Sequence, residues 1–175
     1  MSVLYRDVIA DSLVRLQNDG ILTQADVEVI GSKIVFNYVE KCSELRGLTK
    51  VVLSRNRAGK TVDSKLTSIT FNVNLCEDSS YMQNFDKHIK ELVYHELAHY
   101  IYYLKDTTVQ DFESICRSSW KNICNRSDFV TDYAQSGPGE DYAESFQYWY
   151  QSQVINPSTA MTKKLQYFDA LFEGA

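Results

Sequence analysis

Residues 92–104 read LVYHELAHYIYYL and contain the most informative motif of the chain, HELAH at residues 95–99. Side chains four residues apart lie one turn apart on the same face of an α-helix, so His95 and His99 can both bind one metal ion. Glu96 lies about 100° around the helix from His95, so its carboxylate can reach a water that the metal activates. This HExxH pattern predicts a Zn2+ site on a helix.

The helix that carries the motif is expected to be mostly buried. It is predicted to begin near Asn84 or Asp86 and to end at about Leu104, and it has large apolar residues on more than one face, which is typical of a core helix. Two imidazoles and a carboxylate are costly in such a helix unless they have partners, and a metal ion would satisfy all three. The alternative is a buried helix in which two histidines occur by chance.

The remaining histidine, His88, is not expected to be a ligand. It stands seven residues before His95, which is roughly 10 Å along a helix axis and too far to share one ion. We therefore predict that His88 is a surface histidine or lies near the helix start. Catalytic zinc usually has three protein ligands, so the third should be an acid later in the chain.

Residues 129–146, FVTDYAQSGPGEDYAESF, supply two candidate acids. Glu140 and Glu144 are four residues apart on one face of a predicted helix. One carboxylate could bind the metal while the other accepts the free ring N–H of a ligating histidine. Like charges at this spacing repel by a few tenths of a kcal/mol, and a cation beside them would reverse the sign. The alternative is an acidic face exposed to solvent.

These two blocks together resemble the gluzincin protease domain of anthrax lethal factor and the related Pro-Pro endopeptidases. The likeness covers about a third of the chain, and Gly137 stands where the family often has asparagine. It implies a zincin-like fold with a small sheet beside the HExxH helix. By this resemblance His95, His99 and Glu140 are the zinc ligands and Glu96 is the general base. The same resemblance makes Glu144 the partner of a histidine, and Tyr133 the residue that stabilises the tetrahedral intermediate.

Composition narrows the class of protein. The chain has 175 residues, with 18 Lys and Arg against 23 Asp and Glu, for a net charge of −5. That charge disfavours a nucleic-acid partner, which needs a basic face. No apolar run approaches the roughly 20 residues of a membrane span. We expect one α+β domain over residues 1–175, dominated by helices, and a monomer.

Three local features give further expectations. A capping box from Thr23 to Asp26 opens a helix that we predict to continue until Gly47. Residues 68–75 alternate between polar and apolar side chains and predict a strand. In one of two interpretations this strand is the sheet edge that binds an extended substrate, and in the other it is an ordinary half-buried strand.

The cysteines and the N-terminus bear on localisation. The N-terminus lacks the features of a signal peptide, and the four cysteines are widely scattered and form no CxxC pair. We therefore expect free thiols and synthesis in the cytoplasm, with export or delivery into a host cell by a signal-independent route as a further possibility.

Three functions follow as hypotheses. The leading one is a zinc endopeptidase that acts on a specific protein or peptide substrate. Its resemblance to toxins suggests an exported effector that cleaves a host protein, a cytoskeletal one such as actin for example. The second is a catalytically inactive metal-binding or protein-binding module with the same fold, and the third is a structural domain without metal. Glu96 and Tyr133 favour the enzyme, because a binding module needs neither.

Overall fold

The computed structural model describes residues 2–39, 47–55, 61–74, 85–118, 121–154 and 156–172. The chain divides into two compact units, Met1–Glu96 and Leu97–Ala175, and the division falls inside one continuous helix. The described residues are helix-dominated with a small sheet, as expected for an α+β protein. In these ranges no helix is both long and apolar enough to span a bilayer. That residues 1–175 form one domain stays a prediction.

The first unit begins with two helices, α1 (Ser2–Asn18) and α2 (Gln24–Gly31). The turn between them passes through Gly20, whose φ of 74° favours glycine. The capping box at the start of α2 is confirmed: Asp26 donates its backbone N–H to the Thr23 hydroxyl, and the Asp26 carboxylate accepts the N–H of Thr23. Helix α1 buries an apolar stripe made of Val8, Ile9, Leu13 and Leu16, and helix α2 buries Ile30.

The prediction of a long second helix is wrong beyond Gly31. Residues 34–39 (IVFNYV) form strand β1 (Ile34–Val39) instead. Most of these six residues are β-branched or aromatic, and they favour extended backbone. The helical spacing from Val27 and Ile30 to Ile34 was therefore coincidental, because Ile34 belongs to a strand that pairs with residues much later in the chain. Residues 40–46 lie outside the described part.

Two further strands complete the sheet, β2 (Gly47–Arg55) and β3 (Thr61–Asn74). The strand order is β1-β3-β2, with β1 parallel and β2 antiparallel to β3. The predicted strand at residues 68–75 is confirmed through Asn74, with Ile69 and Phe71 buried; Leu75 lies outside the described residues.

The interpretation of residues 68–75 as a substrate-binding edge is excluded at residues 69–71. Residues 69–74 pair with β1, and residues 61–71 pair with β2. Both hydrogen-bonding sides of β3 are therefore occupied where they overlap, so no extended peptide can add there. Within the described ranges, β2 pairs with β3 alone.

Helix α3 (Phe85–Leu104) carries the HExxH motif, as predicted. It buries Ile89, Val93, Leu97, Ala98 and Ile101, all at 2% exposure or less. Its polar motif side chains lie among these apolar groups. The helix is therefore the mostly buried element that its composition indicates.

The second unit continues with α4 (Val109–Cys116) and a short hairpin of β4 (Arg117–Ser118) and β5 (Lys121–Asn122). Here the expectation of free thiols is wrong, because Cys116 and Cys124 form a disulfide. The hairpin returns the chain on itself within eight residues and brings the two sulfurs together, which the linear spacing does not indicate. Cys42 and Cys76 lie outside the described residues.

The rest of this unit consists of 3-10 turns at Arg126–Asp128 and Tyr133–Ser136, then α5 (Pro138–Tyr150) and α6 (Thr159–Phe172). Its core is aromatic: Phe112 and Tyr142 have ring centroids 5.0 Å apart, as do Tyr142 and Phe168. Phe146 joins Phe168 at 5.6 Å. This packing fixes α5, which begins two residues before Glu140.

Candidate metal centre

Helix α3 presents two imidazoles on one face. His95 and His99 are both buried, at 8% exposure each, and stand one turn apart on a continuous helix. The sequence spacing thus has the structural consequence that the motif predicts.

Glu140 joins these histidines. One ligand atom each from His95, His99 and Glu140 lies within 4.8 Å of the other two. His99 Nε2 and Glu140 Oε2 lie 3.3 Å apart. Glu140 stands in the first turn of α5, after Pro138, so the rigid start of a helix sets its position. The described structure therefore contains a group of three residues that can hold a metal ion.

The residues present fit zinc. Zinc bonds of about 2.0–2.2 Å in tetrahedral geometry place neighbouring ligand atoms about 3.3–3.6 Å apart. The pair from His99 and Glu140 already has this spacing. The 4.8 Å that bounds the whole group exceeds it by about 1.2–1.5 Å, which small side-chain rotations can close. Two imidazoles and one carboxylate also form the donor set of many catalytic zinc sites.

Glu96 is held by a residue that sequence reasoning missed. The Thr49 hydroxyl lies 2.7 Å from Glu96 Oε2 and 2.9 Å from the Glu96 backbone oxygen, so it can donate to either. Thr49 stands on β2, one residue before Lys50, after which the register with β3 shifts. Such irregularities re-aim side chains and are frequent next to active sites. Glu96 is itself 3% exposed, so this contact orients a buried carboxylate.

Glu144 makes a contact that braces the turn carrying Tyr133. Its Oε2 accepts a hydrogen bond from the Thr131 hydroxyl at 2.7 Å, and Thr131 Oγ1 accepts the Ala134 N–H at 3.1 Å. Tyr133 stands between these two residues, at the start of a 3-10 turn, and is 57% exposed. The predicted contact of Glu144 with a histidine, and the role of Tyr133 toward substrate, stay predictions.

His88 lies at the surface, as predicted. Its Nδ1 is 3.3 Å from Glu91 Oε2, its side chain is 44% exposed, and it is not in the metal group formed by the described residues. The seven-residue spacing was a sound reason to leave His88 out of the ligand set.

A buried ion pair involves Asp141, the residue after Glu140 in the sequence. Lys164 Nζ donates to Asp141 Oδ1 at 2.7 Å and to the Asp128 backbone oxygen at 2.9 Å, and it sits 4.2 Å from the ring centroid of Phe129. Burial raises the pKa of Asp141 and lowers the pKa of Lys164, while their mutual attraction opposes both changes. This pair anchors α6 to the start of α5, one residue after Glu140.

Comparison with known protein families, characterised proteins and solved structures found no match to this chain. The metal group therefore stands on its own geometry. Spacing predicted its two histidines and the resemblance implied Glu140, whereas nothing in the sequence connects Thr49 to Glu96, 47 residues later.

Proposed function

We propose that this protein is a zinc-dependent endopeptidase of the gluzincin type, with a zincin-like fold. The observation that carries the proposal is that ligand atoms of His95 and His99 on α3 and of Glu140 on α5 lie within 4.8 Å of one another. The residue after His95 on α3 is a buried glutamate, Glu96. A zinc hydrolase typically has three protein ligands for the ion and a general base beside it.

Each residue has one proposed role. His95, His99 and Glu140 would hold the ion, which would lower the pKa of a bound water and polarise the scissile carbonyl. Glu96 takes a proton from the attacking water and passes it to the leaving amine. Its carboxylate is held for that task by the hydroxyl of Thr49.

Tyr133 and Glu144 take supporting roles in the proposal. The Tyr133 hydroxyl donates a hydrogen bond to the oxyanion that develops on the substrate carbonyl. Its high exposure suits a group that meets a substrate. Glu144 accepts a ring N–H from a ligating histidine, and through Thr131 it also steadies the turn of Tyr133.

The substrate is proposed to be a specific protein, cleaved after export of the enzyme or its delivery into a host cell. The disulfide between Cys116 and Cys124 supports export, because disulfides form and persist in oxidising compartments. A cytoskeletal protein such as actin is one candidate substrate, by the resemblance alone.

The experiment is a comparison of wild type with Glu96→Gln. Both are incubated with a peptide library and with a cell extract, and new N-termini are identified by mass spectrometry. We expect wild type to produce cleavages, and Glu96→Gln to retain its zinc and lose about 10²–10⁴ in rate. Glu91→Gln is the matched control, since Glu91 is on the same helix and pairs with Lys87 and His88 outside the metal group.

Two outcomes would contradict the proposal. Equal cleavage by wild type and Glu96→Gln would remove Glu96 as the base. Zinc binding without cleavage of any peptide or protein would favour the alternative, a catalytically inactive binding module.

A further inference from the structure

Tyr103 stands next to the metal group, although the HExxH motif does not include it. It is four residues after His99 on α3, and so lies one turn further on the same face. The two ring centroids are 6.3 Å apart and the planes differ by 24°. The tyrosine ring therefore packs alongside the imidazole that must hold its orientation to bind a metal.

The other end of Tyr103 meets the start of α5. A Cβ atom placed on Gly139 would lie 3.1 Å from the Tyr103 hydroxyl oxygen, tighter than an ordinary contact, and 3.7 Å from Cζ. Gly139 is buried in helical backbone and has no positive φ. Glycine at this position therefore provides space for a neighbouring side chain and is not required by the backbone conformation. Glu140 is the next residue, so the tyrosine hydroxyl reaches the backbone beside the carboxylate ligand.

Tyr103 is braced in this position. Tyr102 packs edge-on against it, with ring centroids 4.6 Å apart, and the Tyr102 hydroxyl donates a hydrogen bond to Glu113 on α4. Contacts with His99 and Tyr102 therefore hold the ring of Tyr103 on two sides.

We propose that Tyr103 is a positioning residue of the metal centre, acting as a spacer between the imidazole of His99 and the glycine that precedes Glu140. The inference rests on the metal site proposed above. It assigns Gly139 a matching role, because a side chain there would push against the hydroxyl of Tyr103 and displace either Glu140 or the ring stacked on His99.

The test is the zinc affinity of the full-length protein, measured by competition with a chromophoric chelator. Gly139→Ala should bind zinc about 10–100-fold more weakly, the range typical when support around metal ligands is disturbed. Tyr103→Phe keeps the ring that packs beside His99 and lacks only the oxygen that would meet the new methyl group. This variant alone should change the zinc affinity less than about threefold. The double variant Gly139→Ala/Tyr103→Phe should recover most of the loss.

Gly137→Ala is the matched control. It is the same substitution two residues earlier, and a Cβ there meets nothing within 4 Å. Its zinc affinity should remain that of wild type. Circular dichroism and thermal unfolding in chelator show whether each variant folds without metal, so a loss of affinity can be separated from a loss of structure.

Three results would overturn the proposal. Gly139→Ala could bind zinc as tightly as Gly137→Ala, or its loss could persist in the double variant; either removes the role of Tyr103 and leaves the metal site intact. Absence of zinc binding in wild type would remove the metal site and, with it, this inference.

Discussion

Glu140 and Asp141 are neighbours on α5, and their carboxylates have different surroundings. Asp141 is 4% exposed and has a cation in its own chain, the fully buried ammonium of Lys164 at 2.7 Å. Glu140 shares its surroundings with the imidazoles of His95 and His99. The comparison teaches that the same helix start carries one carboxylate in a structural ion pair and one in position to hold a metal ion. A built-in lysine neutralises the first, and a divalent metal would neutralise the second.

The largest expected effect comes from removing the cation that pairs with Asp141. Lys164→Met leaves Asp141 buried without its cation and should lower the free energy of unfolding by about 3–5 kcal/mol, the usual cost of removing one partner of a buried ion pair. Urea unfolding followed by circular dichroism measures it.

Lys163→Met is the matched control for that experiment, because Lys163 is the exposed neighbour on the same helix. Its stability should stay within about 0.5 kcal/mol of wild type. A Lys164→Met protein as stable as this control would mean that the ion pair contributes nothing.

The second-largest expected effect is the stabilisation by zinc, which depends on Glu140 and not on Asp141. Free zinc at 100 times its Kd should stabilise wild type by about 2.7 kcal/mol, because only the folded protein presents the three ligands together. Glu140→Gln should lose this zinc-dependent increment. Asp141→Asn should start from a lower stability and keep the increment, since Asp141 is bound to Lys164.

Thermal unfolding with and without zinc separates these two variants. The comparison fails if zinc stabilises both variants equally, because Glu140 would then be as dispensable for metal binding as Asp141.

The disulfide lies close in the sequence to a residue that contacts Lys164. It closes the loop from Cys116 to Cys124, shortly before Asp128, whose backbone carbonyl accepts a hydrogen bond from Lys164. Chain-entropy arguments give about 2–3 kcal/mol for a loop of this length. The Cys116→Ser/Cys124→Ser variant should be less stable in urea than oxidised wild type by that amount, while its zinc-dependent increment stays unchanged. Equal stability of the two proteins would contradict this.

The smallest expected effect concerns pH. A hydrogen bond from the Ser158 side chain and the Asn125 backbone N–H lower the pKa of Asp128 below its ordinary value of 3.8. A group with a lowered pKa stabilises the fold fully above the ordinary value, and that contribution is lost as pH falls through the folded value.

Urea midpoints measured between pH 6 and pH 3 test this effect. Asp128→Asn should show a shallower fall in stability over that range than wild type. Identical profiles for the two proteins would show that Asp128 contributes no pH dependence.

Much of the fold followed from local patterns, and the exceptions have a physical cause. Helix α3 and strand β3 were predicted because their apolar residues repeat at the helical and strand periods. Strand β1 was missed because Ile34 continues the spacing of α2, while its true partner, Ile69, is 35 residues away. Local periodicity carries no information on such pairing.

The residues of the site also divide into those that local spacing predicts and those that depend on tertiary packing. His95, Glu96 and His99 form one helical turn, so their relation is fixed by spacing alone. The contact of Thr49 with Glu96 depends on how β2 packs on α3, and no local pattern encodes it. Tyr103 could have been found, because it continues the four-residue spacing of the two histidines.

The most direct test of the central claim is the metal content of purified protein, measured by mass spectrometry for wild type and His99→Ala. The account predicts one zinc ion per chain in wild type and none in the variant, with His88→Ala retaining full zinc because His88 lies outside the metal group. No zinc in wild type, or equal zinc in wild type and His99→Ala, would contradict it.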